Sequence, residues 1–194
     1  MHSAPDISAP SLPRSIATGA IGFAVVSLCV FATVAFGEGW MYRTLGLAGS
    51  YLAWVVLFVV LSGAVFGSLV VVRWRLPKFY LLWTIGFIVY AAAWMLAYFT
   101  VGRTTGEVIG SIAGSISMAV VLALGFSAPR SIVKLSAVIF VGNALGYFLG
   151  SAVFDSFRTQ TGMLLFGVVY GLFFGAGIAA ALHIVQLQPN EQAT

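Results

Sequence analysis

Six long stretches of this chain contain no charged residue, and each is long enough to cross a bilayer as a helix, which takes about 20 residues. In lipid every backbone N–H and C=O group needs a partner within the protein, so only helices and closed barrels can span it. A barrel would show segments of roughly 10 residues that alternate apolar and polar side chains, whereas these stretches are continuously apolar. The sequence therefore predicts an all-α fold, a bundle of six transmembrane helices at residues 15–36, 50–71, 79–101, 108–126, 135–154 and 162–182.

The composition excludes a water-soluble fold. Hydrophobic residues make up 61% of the 194 residues and charged residues 7%, against about 45–50% and 25% in a soluble domain. A soluble protein of this size could not bury so much apolar surface. The loops between the runs are too short for a separate domain, so we expect one transmembrane domain at 15–185. The ends, 1–14 and 186–194, are predicted to be tails, the first of them disordered.

The basic residues predict how the chain is oriented. Lys and Arg are retained in excess on the cytoplasmic side of membrane proteins, and six of the nine lie on the side that carries both termini. This places both termini in the cytoplasm of a multi-pass protein of the cell membrane. The positive charge is therefore interpreted as a topology signal, and no nucleic-acid partner is predicted. The six are Arg14, Arg73, Arg75, Lys78, Arg130 and Lys134.

Glycines spaced four apart predict faces for close helix packing. Residues four apart lie on the same face of a helix, and a row of glycines lets two backbones approach closely. Such faces serve packing within one subunit, or contact with another subunit or a flat lipid-like ligand. The predicted packing positions are Gly63, Gly67, Gly142, Gly146, Gly150, Gly167, Gly171 and Gly175.

The chain also matches itself at an offset of 83 residues. Residues 51–99 align without gaps on 134–182, with eleven identical pairs of 49, where composition alone gives about four. Both copies contain a GxxxGS segment, at 63–68 and at 146–151. Since three crossings separate the copies, they would have opposite directions in the membrane. The sequence therefore raises the possibility of a 3+3 inverted repeat, an arrangement found in transporters.

The most polar side chain deep in any predicted span is that of Asn143. An unpaired amide in hydrocarbon is costly, so Asn143 is expected to bind a partner, either another helix or a ligand. Tyr147 lies four residues further on and shares its face. Together with Trp94 and Tyr170, these two residues form the predicted ligand site.

The chemistry of an enzyme or a metal site is absent from the sequence. No charged residue lies in the middle of a run, and Glu107, at the start of the fourth, is expected to be a surface charge at a helix N-terminus. One cysteine, Cys29, and two histidines do not form a recognisable metal motif. Neither a catalytic group, a metal nor a cofactor is predicted.

Two functions fit this architecture. The first is a small-molecule or lipid transport component, such as a permease or a substrate-binding membrane subunit. In size, span number and internal termini the chain is similar in outline to the membrane-embedded substrate-binding subunits of energy-coupling-factor transporters, and this outline implies an ATPase partner. The second is a non-catalytic assembly subunit, with the glycine faces contacting another membrane subunit. Besides the lipid bilayer, the possible partners are therefore an ATPase or a membrane subunit.

Overall fold

The computed structural model describes residues 10–71 and 75–187, and every regular element in these ranges is a helix. The prediction of an all-α fold is confirmed. Within the described ranges, five helices are long and apolar enough to cross a membrane, rather than the six predicted, because the first two apolar runs belong to a single helical element. The long helices are α1 (Leu12–Phe66), α2 (Arg75–Val101), α3 (Arg103–Gly125), α4 (Ile132–Phe157) and α5 (Gln160–Leu187), with short 3-10 turns at Gly67–Leu69 and Pro129–Ser131.

Helix α1 folds back on itself at Gly46, which has φ 68° and ψ 178°. Along a straight helix Phe23 and Phe66 would be about 65 Å apart, yet their ring centroids are separated by 5.3 Å. We call residues 12–45 the first arm and 47–66 the second arm. The combination of positive φ with extended ψ is open essentially to glycine alone, so this one residue allows the reversal.

Helix α5 lies between the first arm and α4, and glycines bring the backbones together on both sides. A Cβ atom added to Gly171 would lie 2.8 Å from the carbonyl oxygen of Phe23, and one added to Gly142 would lie 2.7 Å from that of Phe173. All eight predicted packing glycines have a neighbour inside the chain at 3.0 Å or less from the added Cβ. Gly63, Gly67 and Gly167 face side chains instead of a backbone, those of Tyr80, Leu76 and Phe31.

The contacts also fix which ends of the helices lie together. Gly19 contacts Ala179, Gly167 contacts Phe31, and Gly162 contacts Phe157, so neighbouring helices run antiparallel. The reversal at Gly46 and the α2–α3 and α4–α5 connections therefore meet at one end of the bundle, which we call the turn end. The two described chain ends meet at the other, which we call the terminal end.

Large apolar side chains cover the outside of the bundle. Val133 and Phe99 are 79% exposed, and Leu96 is 68% exposed, with others along every helix. Apolar surface on all sides of a helix is the pattern of a bundle surrounded by lipid. The interior is an apolar cluster of aliphatic side chains and aromatic rings, and the rings include Phe66, Phe79, Trp83 and Phe174.

The predicted tails, 1–14 and 186–194, lie mostly outside the described residues. Gln186 lies in the last turn of α5, where its amide joins that helix to the end of the 3-10 turn that follows α1. The side-chain oxygen accepts a hydrogen bond from the Val71 N–H at 2.6 Å, and the side-chain nitrogen donates to the carbonyl oxygens of Leu69 at 3.0 Å and Leu182 at 2.9 Å.

Replacing Gln186 by leucine is expected to lower the free energy of unfolding by about 1–3 kcal/mol, because the N–H of Val71 and the C=O of Leu69 lose their partner. Gln160→Leu is the matched control, since the exposed Gln160 donates one bond, to Ala35, that water can replace. The midpoints of unfolding by a denaturing detergent measure both. Equal midpoints for the two variants would contradict a structural role for Gln186.

Candidate ligand-binding cavity

A cavity of about 380 Å³ lies between α2 on one side and α1, α4 and α5 on the other. Ten of its thirteen lining residues are aromatic, and the described lining contains no charged side chain. The walls come from both arms of α1, so the reversal at Gly46 is needed to close the site. The lining residues are Phe23, Phe31, Tyr51, Phe58, Phe87, Tyr90, Ala91, Trp94, Met95, Asn143, Tyr147, Phe166 and Tyr170.

The four residues predicted as a ligand site, Trp94, Asn143, Tyr147 and Tyr170, all line this cavity. They come from α2, α4 and α5, and the rings of Trp94 and Tyr147 meet edge to face with centroids 6.1 Å apart. The structure therefore brings the predicted residues together. Their role in binding a ligand stays a prediction.

Asn143 is 1% exposed, and only one end of its amide is paired. Its Oδ1 accepts a hydrogen bond of 2.8 Å from the Tyr90 hydroxyl on α2. Its Nδ2 is buried and has no hydrogen-bond partner among the described residues. Several other buried polar atoms in the same ranges also lack a partner, but Asn143 is the one that belongs to the cavity wall. The interhelical hydrogen bond considered for Asn143 is therefore present, and the Nδ2 group of the same amide remains without a partner among the described residues.

Glu107 approaches the cavity through Tyr147. The hydroxyl of Tyr147 donates to Glu107 Oε1 at 3.1 Å, and Glu107 is half-buried in the second turn of α3. The expectation of a plain surface charge therefore missed a contact between helices. This bond fixes the phenol of Tyr147 at the cavity wall.

The cavity lining is exposed toward the turn end and buried toward the middle of the bundle. Tyr51 and Met95, near the turn end, are 56% and 49% exposed. Phe23 and Asn143, deeper in, are almost fully buried. Beyond Phe23 the aromatic cluster fills the path to the terminal end, with Phe23 against Phe66 at 5.3 Å.

Sequence reasoning missed most of the apolar wall and two tyrosines, Tyr51 and Tyr90. Tyr90 carries a hydroxyl in the middle of an apolar run, as Asn143 carries an amide, so its polarity was a usable signal. The phenylalanines Phe31, Phe58 and Phe166 gave none, because an apolar ring beside a cavity and one in a filled core look alike in a sequence.

Similarity does not assign this site a role. No protein-family model, no curated protein and no solved structure matches the chain. The geometry and chemistry of the lining side chains are therefore the basis for a functional assignment.

Proposed function

We propose that this chain is the small-molecule-binding component of a membrane transport system, and that the aromatic cavity is its binding site. The observation that carries the proposal is Asn143, which lines a cavity of about 380 Å³ and whose buried Nδ2 has no partner among the described residues. A buried polar group without a partner is costly, and a ligand that binds it removes the cost.

The size and lining of the cavity support binding. Ligand sites occupy about 300–1,000 Å³ and are mostly apolar, with a few polar groups that set orientation. This cavity has the same character: ten aromatic rings and one unpaired amide donor. A void of this size leaves the surrounding side chains without contacts that a ligand would restore.

In this proposal the two arms of α1 cross the membrane separately, which gives six crossings. The second arm, 47–66, has the length of one crossing. The excess of basic residues at the terminal end would place that end in the cytoplasm and the mouth of the cavity on the outer side of the cell membrane. Binding at the cavity does not require the two halves of the chain to be related by a repeat.

Filling the cavity by mutation tests the proposal. Ala91 lines the cavity, whereas its neighbour Ala92 is exposed on the outside of α2. We expect wild-type protein purified in mild detergent to carry a stoichiometric small molecule in native mass spectrometry. Ala91→Phe should reduce its occupancy at least tenfold, and Ala92→Phe should retain it.

Equal occupancy in the two variants would show that the molecule binds elsewhere. A preparation without any small molecule, in every mild detergent used, would count against the proposal. An ATPase that co-purifies with the chain would support a role as the binding subunit of an energised transporter.

The second candidate function is a structural subunit of a larger membrane complex. It is favoured by a groove of about 370 Å³ between α4 and α5, whose lining includes Gly142, Val141, Phe173 and Gly177. Small residues in such a groove allow close approach of another helix. A stable membrane-protein partner, together with an empty cavity, would favour this function over transport.

A further inference from the structure

We propose that the cavity takes a flat, uncharged ring compound that accepts a hydrogen bond from Asn143 through a carbonyl oxygen or a ring nitrogen. This inference rests on the proposed function and specifies the class of ligand. It follows from three properties of the described lining: an unpaired donor, the absence of charge and a predominance of aromatic rings.

The unpaired donor selects an acceptor on the ligand. An asparagine amide offers one acceptor oxygen and two N–H donors, and Tyr90 already binds the oxygen. The remaining donors on Nδ2 lie in a site from which water is largely excluded, because Asn143 is 1% exposed. A ligand oxygen or nitrogen with a free lone pair satisfies them.

The absence of charge in the lining selects a neutral ligand. Moving an ion from water into an apolar interior is strongly unfavourable unless an opposite charge meets it. The thirteen lining residues include no ionised side chain. The carboxylate of Glu107 is bound by the Tyr147 hydroxyl, which stands between it and the cavity.

The rings of the lining select a flat, cyclic molecule. Aromatic rings attract one another in offset-stacked and edge-to-face arrangements with centroids 4.5–7 Å apart. The lining already shows both geometries: Phe166 and Tyr170 are parallel within 13° at 5.9 Å, and Trp94 and Tyr147 are inclined at 65°. A flat ring in the cavity can extend either arrangement.

Four bicyclic probes of nearly equal size separate these properties. At mildly alkaline pH naphthalene has neither donor nor acceptor, quinoline only accepts, indole only donates, and N-methylquinolinium carries a positive charge without an acceptor. Calorimetric titration into the purified full-length protein, corrected for partitioning of each probe into empty micelles, measures their affinities. We expect quinoline to bind about tenfold more tightly than naphthalene, the ratio that one added hydrogen bond supplies, and more tightly than the other two.

A pair of variants assigns the effect to Asn143. In Asn143→Leu, which has a similar volume but no polar group, quinoline and naphthalene should bind equally. In Tyr80→Phe, which removes a hydroxyl that donates to the Val60 carbonyl oxygen outside the cavity lining, the preference for quinoline should persist. The ranking in the wild-type protein is a test by itself, so it does not depend on whether Asn143→Leu folds.

The outcomes separate this inference from the proposed function. Tightest binding of indole would mean that the amide presents its oxygen, and tightest binding of N-methylquinolinium would mean an aromatic cage for cations. Either result, or equal binding of all four, would overturn the inference while the cavity remains a binding site. If none of the probes binds, the inference falls, and an empty protein in native mass spectrometry would show that the proposed function has failed with it.

Discussion

Gly171→Ala is expected to lower the free energy of unfolding by about 3 kcal/mol, the upper range for forcing extra volume into a packed interior. The added methyl group would lie 2.5 Å from the Cα of Ala24 and 2.8 Å from the carbonyl oxygen of Phe23. Both contacts are with the backbone of α1, so no side-chain rotation relieves them. The helices α1 and α5 must separate, and the loosening would extend to the cavity wall that they share. Unfolding by a denaturing detergent, followed by circular dichroism, measures the change.

Gly37→Ala is the matched control for this prediction. Gly37 also lies within α1, but no atom is found within 4 Å of where its Cβ would be. Alanine is the better helix former by up to about 1 kcal/mol, so this variant should be as stable as the wild type or slightly more stable. If Gly171→Ala also left the free energy of unfolding unchanged, this result would contradict the close backbone contact between α1 and α5.

Gly46→Ala is expected to destabilise the protein by about 1–3 kcal/mol for a different reason. No atom lies within 4 Å of its Cβ position either, so the cost comes from the backbone, which has φ 68° and ψ 178°. An L-residue avoids that conformation. The second arm would then meet the first at a changed angle, and ligand binding in the cavity should weaken together with stability.

Gly102→Ala extends this prediction to a second position. Gly102 has φ 77° and ψ 158° between α2 and α3, and its Cβ position is also open. Its replacement should cost about as much as that of Gly46, whereas Gly37→Ala should not. The same detergent unfolding curves test all three. Equal unfolding midpoints for Gly37→Ala, Gly46→Ala and Gly102→Ala would contradict the positive φ angles of Gly46 and Gly102.

The helices could be predicted from the sequence because lipid leaves the backbone no alternative to internal hydrogen bonding. The connection between the first two runs could not. Residues 37–49 include Glu38 and Arg43, so the sequence predicts a loop there, but the chain is helical on both sides of Gly46. A segment that contains charged residues can still pair its backbone N–H and C=O groups by forming a helix. The helix is interrupted only at Gly46, where the chain reverses direction.

The polar centre of the cavity could also be predicted, because Asn143 in hydrocarbon must find a partner. Its apolar wall could not be predicted, since tertiary packing alone decides whether a phenylalanine faces a void or fills the core. The inverted repeat stays a prediction. In the structure Gly146 contacts the backbone of the next helix, α5, while its counterpart Gly63 contacts the side chain of Tyr80 on α2. Close backbone contact between a glycine and the next helix is therefore found at this position in one copy only.

The hydrogen bond between Tyr90 and Asn143 joins α2 to α4, and these helices belong to two separate groups that glycines hold together. Glycines bring the first arm, α5 and α4 together backbone to backbone, and Gly106 and Gly110 of α3 do the same for α3 and α2. Trp83, also on α2, packs against Phe66 and Phe174 in the aromatic cluster beyond Phe23. Any movement of α2 away from α4 breaks the Tyr90–Asn143 bond and frees the whole amide, so in the proposed function the affinity for a ligand would depend on the position of α2 through one side chain.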